Sequence, residues 1–348
     1  MNSRVQSLLL KGLSALNLVP VPVLDTTGPV MRARIIIAAV ETGIFEALAD
    51  GPKPYGELAQ RIEAKGDSLR LVLEALEGYG YVRRHGSFYE NSRMSRKYLE
   101  RRSPYYVGDL VLFQQDSDAM TRSLAKLIQT GRIESSHEDY MKGDPQRWRR
   151  YVLGMHEGAR LSVEEVAAKV AVPPGARRLL DLGGSHGLHA YSFCQRHPGL
   201  EAVVFDRPEA IAIAEELSAS LPLRDRLSFR AGNLWSESFG EGYDIVLLFS
   251  VLHLFSAEMN RQLLARVAQA MTPGGMLIVA DFLSDRLPAD WIAAFSLGMR
   301  CFFGQGQAYD QATILGWLAE AGFANPRISH LRNPASLIIT YLSGKGGL

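Results

Sequence analysis

Five short apolar runs that alternate with longer amphipathic segments limit the fold of this chain more than any other feature. They begin after Pro173 and read RRLLDLG, EAVVFD, LSFRAG, YDIVLLF and GGMLIVADF. Their lengths and β-branched content are typical of buried strands in a parallel sheet. The intervening segments, such as 208–221 and 257–271, have the lengths of crossover helices. The sequence therefore predicts a doubly wound α/β domain over residues 173–348.

Two later runs close this predicted sheet. PRISHL and SLIITYL are separated only by RNPA. A link of four residues is too short for a parallel crossover, so the two runs are expected to pair as antiparallel strands.

The first 105 residues have a helical rhythm instead. A helix with the core face Leu69, Val72, Leu73 and Leu76 precedes YVRRHGSFYEN, which predicts a hairpin with Gly86 at its turn. Helix, helix and hairpin outline a winged helix, which raises DNA binding as one hypothesis. Its second helix carries two glutamates, however, and a recognition helix normally presents cations or amides to the major groove. A dimerisation or substrate-capping module is favoured.

Composition narrows the remaining classes. A chain of 348 residues is long enough for two domains, and its net charge of +1 gives no electrostatic reason to expect nucleic acid or an anionic membrane as partner. No apolar stretch approaches the roughly 20 residues that span a bilayer. Cys194 and Cys301 are far apart and flanked by hydrophobic residues, which predicts buried thiols in a reducing compartment, the cytoplasm.

The N-terminal segment MNSRVQSLLLKGLSALNL is the one stretch that resembles a leader. Its leucines recur at helix-like spacing, and no small-residue cleavage site follows them. An amphipathic helix that packs on another surface, such as a second subunit, is the prediction for this segment.

The turn LLDLGGSHGLHA at residues 179–190 carries the first chemical signal. Its glycines do not have the G-x-G-x-x-G spacing of a dinucleotide site, and no phosphate-binding G-x-x-x-x-G-K-[ST] motif occurs. Asp181, Gly183, Ser185 and Gly187 instead match the D/E-x-G-x-G-x-G turn of adenosylmethionine-dependent methyltransferases, with serine at the middle glycine. Asp206 ends the next apolar run, where an acid binds ribose hydroxyls.

Further motifs extend this likeness along the chain. VVFDRPEAI, AGNLW, YDIVLLFSVLHLF, MTPGGMLIVADF and GWLAEAGF occur in the order seen in bacterial and plant small-molecule O-methyltransferases of the caffeic-acid and hydroxyneurosporene type. The sequence resembles that family from about residue 15 to residue 342.

The resemblance implies both an architecture and a set of partners. It implies a winged-helix dimerisation domain (1–105), a helical linker that contributes to the substrate pocket (106–172), and a class I methyltransferase domain with a Rossmann-like, mostly parallel seven-stranded sheet (173–348). S-adenosyl-L-methionine is the implied cofactor, with S-adenosyl-L-homocysteine as its product, a small molecule is the implied substrate, and a homodimer is the implied assembly. No metal, nucleic acid or membrane is implied.

The resemblance also assigns site residues. His253 stands where the family has its catalytic base, and Asp281 where an acid orients that base. The residues implied in cofactor binding follow the strand ends: Asp181, Gly183, Gly184, Ser185, Gly187, Asp206, Arg207, Gly232, Asn233, Leu234 and Ser250. Those implied in substrate binding come from the middle helix and from DWIAAFSLGMRCFFG: Met155, Trp291, Phe295, Met299, Arg300 and Phe303.

Some positions depart from the family pattern. Leu254 follows the histidine where aspartate is usual, Phe249 stands where plant members have lysine, and Asn233 replaces an adenine-contacting aspartate. Where the family has a second acid beside the histidine, this chain aligns Ala308, and only Asp310 is near. These departures concern the removal of a proton more than the binding of the cofactor.

The leading hypothesis is therefore O-methylation of a small molecule with His253 as base. Methylation of a sulfur acceptor, such as a methylthio-hydroxy acid whose carboxylate Arg300 would hold, is a second hypothesis, because a thioether has no proton to lose. A relative that binds the cofactor without transferring its methyl group is a third. His186 and His189 have no further metal ligands nearby in sequence, so His186 is expected at the cofactor's amino-acid end and His189 on the helix surface.

Overall fold

The computed structural model describes residues 20–343. The chain divides into two compact units, one ending at Leu112 and the other beginning at Phe113. The predicted N-terminal amphipathic helix lies outside the described residues. Among the helices of residues 20–343, none combines the length and apolar content that a bilayer crossing demands.

The first unit is helical with a small sheet. Its helices are α1 (Val21–Glu41), α2 (Ile44–Ala47), α3 (Tyr55–Arg61), α4 (Ser68–Gly78) and α5 (Arg93–Tyr98). Its strands are β1 (Lys53–Pro54), β2 (Val82–His85) and β3 (Phe88–Asn91), in the order β1-β3-β2. Gly86 has a φ of 61° in the β2–β3 turn, and Leu69, Leu73 and Leu76 of α4 are buried, so the helix–helix–hairpin prediction is confirmed.

A helical region joins this unit to the large sheet. It consists of α6 (Gly108–Thr121), α7 (Leu124–Thr130), α8 (His137–Met141), α9 (Pro145–Arg160) and α10 (Val163–Lys169). The prediction of a mainly helical segment after residue 105 is confirmed. Its assignment to the substrate pocket stays a prediction.

The sheet of the second unit has seven strands in the order β6-β5-β4-β7-β8-β10-β9. The strands are β4 (Arg178–Leu182), β5 (Glu201–Asp206), β6 (Leu227–Ala231), β7 (Tyr243–Phe249), β8 (Met271–Asp281), β9 (Phe323–His330) and β10 (Ser336–Leu342). Neighbours from β6 to β8 are parallel, whereas β10 pairs antiparallel with both β8 and β9. The predicted α/β fold and its antiparallel closing pair are confirmed.

Five helices of this unit cover the sheet or connect its strands. They are α11 (Leu188–Arg196), α12 (Pro208–Ser218), α13 (Ala257–Ala270), α14 (Ala289–Phe303) and α15 (Gln311–Glu320).

The apolar runs are continuous because both faces of the sheet are buried. Along β4, Leu180 and Leu182 join one core cluster while Leu179 joins the other, and along β7 Val246 and Ile245 divide in the same way. Successive side chains of a strand point to opposite faces, so a sheet covered on both sides needs apolar residues at every position.

The chain reverses direction across the sheet beside β4. From β4 the order runs outward through β5 and β6 on one side and through β7 and β8 on the other. Ligands of doubly wound folds bind at the carboxyl ends of the strands next to such a reversal. The topology therefore predicts a ligand site among the residues that follow β4, β5 and β7.

Candidate active site

The glycine-rich turn after β4 is held by the carboxylate that ends β5. The backbone N–H of Ser185 donates to Oδ2 of Asp206 at 2.7 Å, and that of Arg207 donates to Oδ1 at 2.7 Å. Gly183, Ser185 and Gly187 have φ values of 71°, 43° and 68°. Two of these three left-handed positions carry glycine, which adopts that conformation at little cost, whereas serine adopts it with strain.

Asp181 supports this turn from beneath. Its side chain is buried, and Oδ2 accepts a hydrogen bond from the backbone N–H of Ala190 in the first turns of α11. A Cβ at Gly184 would lie 2.6 Å from Cγ of Asp181, so glycine is required there. Burial raises the pKa of Asp181 to about 7. The carboxyl group thus links the strand, the turn and the helix.

The other residues predicted to bind the cofactor lie at the same sheet edge. The backbone N–H of Gly232, after β6, donates to the carbonyl of Asp206 at 2.8 Å, and Asn233 Oδ1 accepts from the backbone of the same loop. Leu234 follows in that loop, and Ser250, after β7, has a φ of 57°. Parallel order brings these strand ends together; the cofactor contacts themselves stay a prediction.

Arg207 differs from this group in the direction of its side chain. Its guanidinium makes a bidentate ion pair with Glu138 at 2.7 and 3.0 Å and lies over the ring of Trp148. Only its backbone N–H meets the carboxylate of Asp206.

A histidine and an aspartate meet where β7 and β8 end. His253 lies in a short 3-10 helix, Leu252–Leu254, and its Nδ1 is 2.6 Å from Oδ1 of Asp281. The backbone N–H of His253 donates to Oδ2 of the same carboxylate, and that of Phe282 donates to Oδ1 at 2.8 Å. Both side chains are buried. The carboxylate therefore fixes the orientation of the imidazole, with Nε2 directed away from Asp281.

Three residues that the sequence analysis did not identify hold this histidine in place. Asn260 is fully buried, and its side-chain amide donates to the carbonyl of Leu252 at 2.9 Å. The hydroxyl of Tyr309 donates to the carbonyl of Phe255 at 2.7 Å. Gly306 packs directly against the backbone of the turn. These three residues are isolated in the sequence and belong to no motif, so the sequence analysis could not identify them.

An aromatic wall lies beside His253. Its imidazole is 5.1 Å from the ring of Phe295 and 6.0 Å from that of Phe282, and Trp291 stacks on Phe295 at 5.3 Å with 6° between the planes. Trp291 and Phe295 were predicted to line the substrate pocket, and Phe282 was not, although it directly follows Asp281. Flat apolar surfaces of this kind favour a flat apolar ligand.

The other predicted substrate residues divide into two groups. Met155, Met299 and Phe303 pack against a second cluster, which contains Phe113, Trp148 and Phe302. Arg300 is exposed and donates to Oε1 of Gln307 at 2.9 Å. This partner is an uncharged amide. The role of Arg300 toward a substrate stays a prediction.

Ala308 and Asp310 are the two positions considered for a second acid beside the base. Ala308 is buried, and its backbone N–H donates to Oγ of Ser296. Asp310 caps α15, and its carboxylate accepts from the backbone N–H and the hydroxyl of Thr313, each at 2.8 Å. Asp281 is thus the carboxylate that contacts His253, and Asp310 is engaged elsewhere.

Three histidine rings lie together next to the glycine-rich turn. His186 is 5.4 Å from His156 and 6.1 Å from His189, whose ring packs at 4.8 Å on Phe249. Burial lowers the pKa of His156 and of His189 to about 4, so both are neutral at pH 7. His189 was expected on the helix surface; it is partly exposed there, with Nδ1 buried. Within residues 20–343 no group of three or more metal-ligating side chains has the arrangement to hold an ion.

Comparisons with known proteins identify the family of this chain. A family profile described as an O-methyltransferase domain matches residues 124–324, and one described as an O-methyltransferase dimerisation domain matches residues 24–101. The chain belongs to the O-methyltransferase family.

Individual relatives cover nearly the whole chain. The tetracenomycin polyketide synthesis 8-O-methyl transferase TcmO of Streptomyces glaucescens is 30% identical over 327 residues, 92% of this chain and 96% of that protein. The 3-hydroxy-5-methyl-1-naphthoate 3-O-methyltransferase of Streptomyces sahachiroi is 26% identical over 323 residues, 91% and 93% of the two chains. Human N-acetylserotonin methyltransferase, solved in complex with SAM, shares the fold with a TM-score of 0.81 at 21% identity, over 92% and 96% of the chains.

Gly306→Ala tests how the turn of His253 is held. A Cβ at Gly306 would lie 2.3 Å from the carbonyl oxygen of His253, and its φ of 86° is strained for alanine. We expect the free energy of unfolding to fall by about 2 kcal/mol or more in chemical denaturation. Gly316→Ala is the matched control, because its Cβ meets nothing within 4 Å and it lies within helix α15. Equal stability of the two variants would contradict the proposed support.

His189→Phe tests the burial of the histidine group. An unfolded histidine binds a proton below its ordinary pKa of 6.5, whereas His189 in the folded chain binds one only near 4. Stability from this group is therefore present above pH 6.5 and lost as the pH falls toward 4. Between pH 7.5 and pH 5 we expect the wild type to lose about 2 kcal/mol more than the variant. An identical loss in both proteins, measured by chemical denaturation, would show that His189 is solvated.

Proposed function

We propose that this chain transfers a methyl group from S-adenosylmethionine to the hydroxyl of an aromatic small molecule, with His253 as general base and Asp281 as its orienting acid. The observation that carries the proposal is the 2.6 Å contact between His253 Nδ1 and Asp281 Oδ1 at the end of β7. It lies at the same sheet edge as the glycine-rich turn, on adjacent parallel strands.

The residues around the glycine-rich turn suit adenosylmethionine. Oγ of Ser185 is buried and has no hydrogen-bond partner among the described residues, so a polar ligand group would satisfy it. Asp206 accepts two backbone N–H groups, and a carboxylate has further lone pairs for ribose hydroxyls. The N-terminus of α11 favours a methionyl carboxylate. When bound, the cofactor supplies an electrophilic methyl group on a sulfonium.

The protein contributes to the reaction in two ways: it aligns the acceptor, and it removes the proton of the acceptor hydroxyl. Because Asp281 accepts the Nδ1 proton, the lone pair on Nε2 of His253 is left to take the hydroxyl proton of the acceptor. The carboxylate then stabilises the imidazolium that forms. The rings of Phe282 and Phe295 would exclude water and hold the acceptor with its hydroxyl beside His253.

An oxygen acceptor agrees with this arrangement better than a sulfur acceptor. A thioether has no proton to remove, so an oriented base would have no task. The hypothesis of a methylthio-hydroxy acid also relied on Arg300 to bind a carboxylate, and this arginine is exposed and bonded to Gln307. The comparisons give that hypothesis no support. By contrast, the names of the two Streptomyces relatives describe the O-methylation of a polyketide and of a hydroxynaphthoate.

A homodimer is part of the proposal. The match to a dimerisation domain over residues 24–101 supports it. So does the exposed apolar surface of α1, where Val23, Leu24, Val30 and Met31 are each about half exposed. Apolar side chains in such a row favour burial against another surface.

His253→Gln tests the assignment of the base. We expect turnover of a phenolic or naphtholic acceptor, followed as S-adenosylhomocysteine release, to fall by roughly 10²- to 10⁴-fold because general-base assistance is lost. S-adenosylhomocysteine affinity, measured by calorimetry, should stay within about twofold of the wild type, a difference well below the 1.4 kcal/mol of a tenfold change. His330→Gln removes a histidine that contacts Ser336 and serves as control. Turnover of His253→Gln at the wild-type rate would refute the role of the base.

A further inference from the structure

A buried histidine with one unpaired ring nitrogen lies among the rings of the second aromatic cluster. His137 begins α8 and is only 6% exposed. Its imidazole lies 5.8 Å from the ring of Trp148, 5.1 Å from that of Tyr151 and 5.2 Å from that of Phe303. Its Nε2 is buried and has no hydrogen-bond partner among the described residues. A polar atom enclosed by aromatic rings is the least expected feature of this cluster.

This nitrogen is energetically unfavourable in its surroundings. A buried polar atom without a hydrogen-bond partner destabilises the folded protein, and native structures contain few of them. Burial is the main reason that the pKa of His137 falls to about 4, and the positive charge of Arg207 adds to it. The imidazole is therefore neutral at pH 7, and its Nε2 can form one hydrogen bond with an oxygen, as donor or acceptor according to its tautomer.

The position of His137 is fixed by a buried ion pair. Asp116 accepts from the guanidinium of Arg150 at 3.0 and 3.1 Å and from the hydroxyl of Tyr140 at 3.0 Å. Tyr140 belongs to α8 and Arg150 to α9, so one carboxylate ties together the helices that carry His137 and its ring neighbours Trp148 and Tyr151. The unpaired nitrogen of His137 therefore lies where the helices α8 and α9 are held together.

Helix α14 connects this histidine with the proposed base. Phe295 contacts His253, and Phe303 contacts His137. The two phenylalanines are eight residues apart, which corresponds to about 12 Å along a helix. Phe295, Met299 and Phe303 follow one another at intervals of four residues, so they form one apolar strip, a ridge along the helix. The two ends of this strip contact the two imidazoles.

Methionine side chains occupy the middle of the strip. Met299 lies halfway between the two phenylalanines, and Met155 packs against the same cluster from α9, one turn beyond Tyr151. Methionine is unbranched and changes conformation readily. These side chains can therefore adjust to a flat ligand that packs on the strip.

We propose that the acceptor is a fused-ring aromatic with oxygen atoms at opposite ends, and that His137 selects it by a hydrogen bond to the oxygen remote from the methylated hydroxyl. This inference rests on the function proposed above. The reacting hydroxyl lies at His253, the rings lie along the strip of Phe295, Met299 and Phe303, and the second oxygen satisfies Nε2 of His137.

Binding of two matched probes tests the inference. Naphthalene-2,6-diol and 2-naphthol differ only in the second oxygen, and their affinities for the protein saturated with S-adenosylhomocysteine can be measured by calorimetry. We expect the diol to bind the wild type about tenfold more tightly, the effect of one hydrogen bond to a buried group. In His137→Phe the two probes should bind equally, with the affinity for 2-naphthol unchanged. In His137→Gln, which keeps a hydrogen-bonding amide, part of the preference should return.

Controls separate this role from a structural one. His197→Phe, at the C-terminal end of α11, should keep the preference of the wild type. The free energy of unfolding of His137→Phe should not fall, because the variant removes an unsatisfied nitrogen. Equal affinity of the wild type for both probes would overturn the inference without any variant, and so would a preference that survives in His137→Phe.

Failure of the inference about His137 can be distinguished from failure of the proposed function. If S-adenosylhomocysteine does not bind the wild type, the methyl-transfer proposal fails. The same pair of probes, titrated into the protein alone, then still decides the role of His137: a diol preference that disappears in His137→Phe supports it, and equal binding overturns it.

Discussion

The hydrogen bond between His253 and Asp281 depends on how two strands are aligned, and the site depends on that bond. In the β7–β8 ladder Phe249 lies opposite Ala280, and the backbone N–H of Ser250 donates to the carbonyl of Ala280 at 2.8 Å. Asp281 follows directly and turns its carboxylate to the imidazole. A shift of one residue in this register would direct the carboxylate to the opposite face of the sheet. Both strands are buried on both faces, so the close packing of individual side chains, and not an alternation of polar and apolar residues, holds that register.

The two halves of the site are built by different means. The cofactor half consists mainly of backbone: three left-handed residues in the turn after β4, N–H groups on the carboxylate of Asp206, and glycines where a Cβ would collide. The proposed acceptor half consists of side chains on α8 and α9 and on α14, which begins more than a hundred residues after α9 ends. One cofactor can therefore be retained while the acceptor changes, since substitutions on these helices leave the turn intact.

This division explains what could be predicted from the sequence. Backbone geometry needs glycine and a buried acid at fixed spacing, so the turn at Asp181 and the acid at Asp206 could be recognised as a motif. The strands could be recognised because burial on both faces gives an apolar run. His253 and Asp281 were identified only through the family resemblance, as each is a single polar residue at a strand end.

The features that the sequence did not reveal have a common origin. Asn260, Gly306 and Tyr309 hold the turn of His253 through contacts that join distant parts of the chain. His137 stands in a polar stretch, and nothing in SSHEDYM indicates that its ring is enclosed by Trp148, Tyr151 and Phe303. Arg300 stands among apolar residues in DWIAAFSLGMRCFFG, and the local sequence does not show that it lies on the exposed side of α14. Such contacts arise from tertiary packing, which local patterns do not encode.

Nitrogen-15 NMR of the histidine side chains tests the central claim most directly, because it reports which ring nitrogen carries the proton. A neutral imidazole that donates from Nδ1 to the carboxylate of Asp281 carries its proton on Nδ1 and has a lone pair on Nε2. We predict that tautomer in the wild type and its loss in Asp281→Asn. A proton on Nε2 in the wild type, with or without one on Nδ1, would contradict the assignment of His253 as the base.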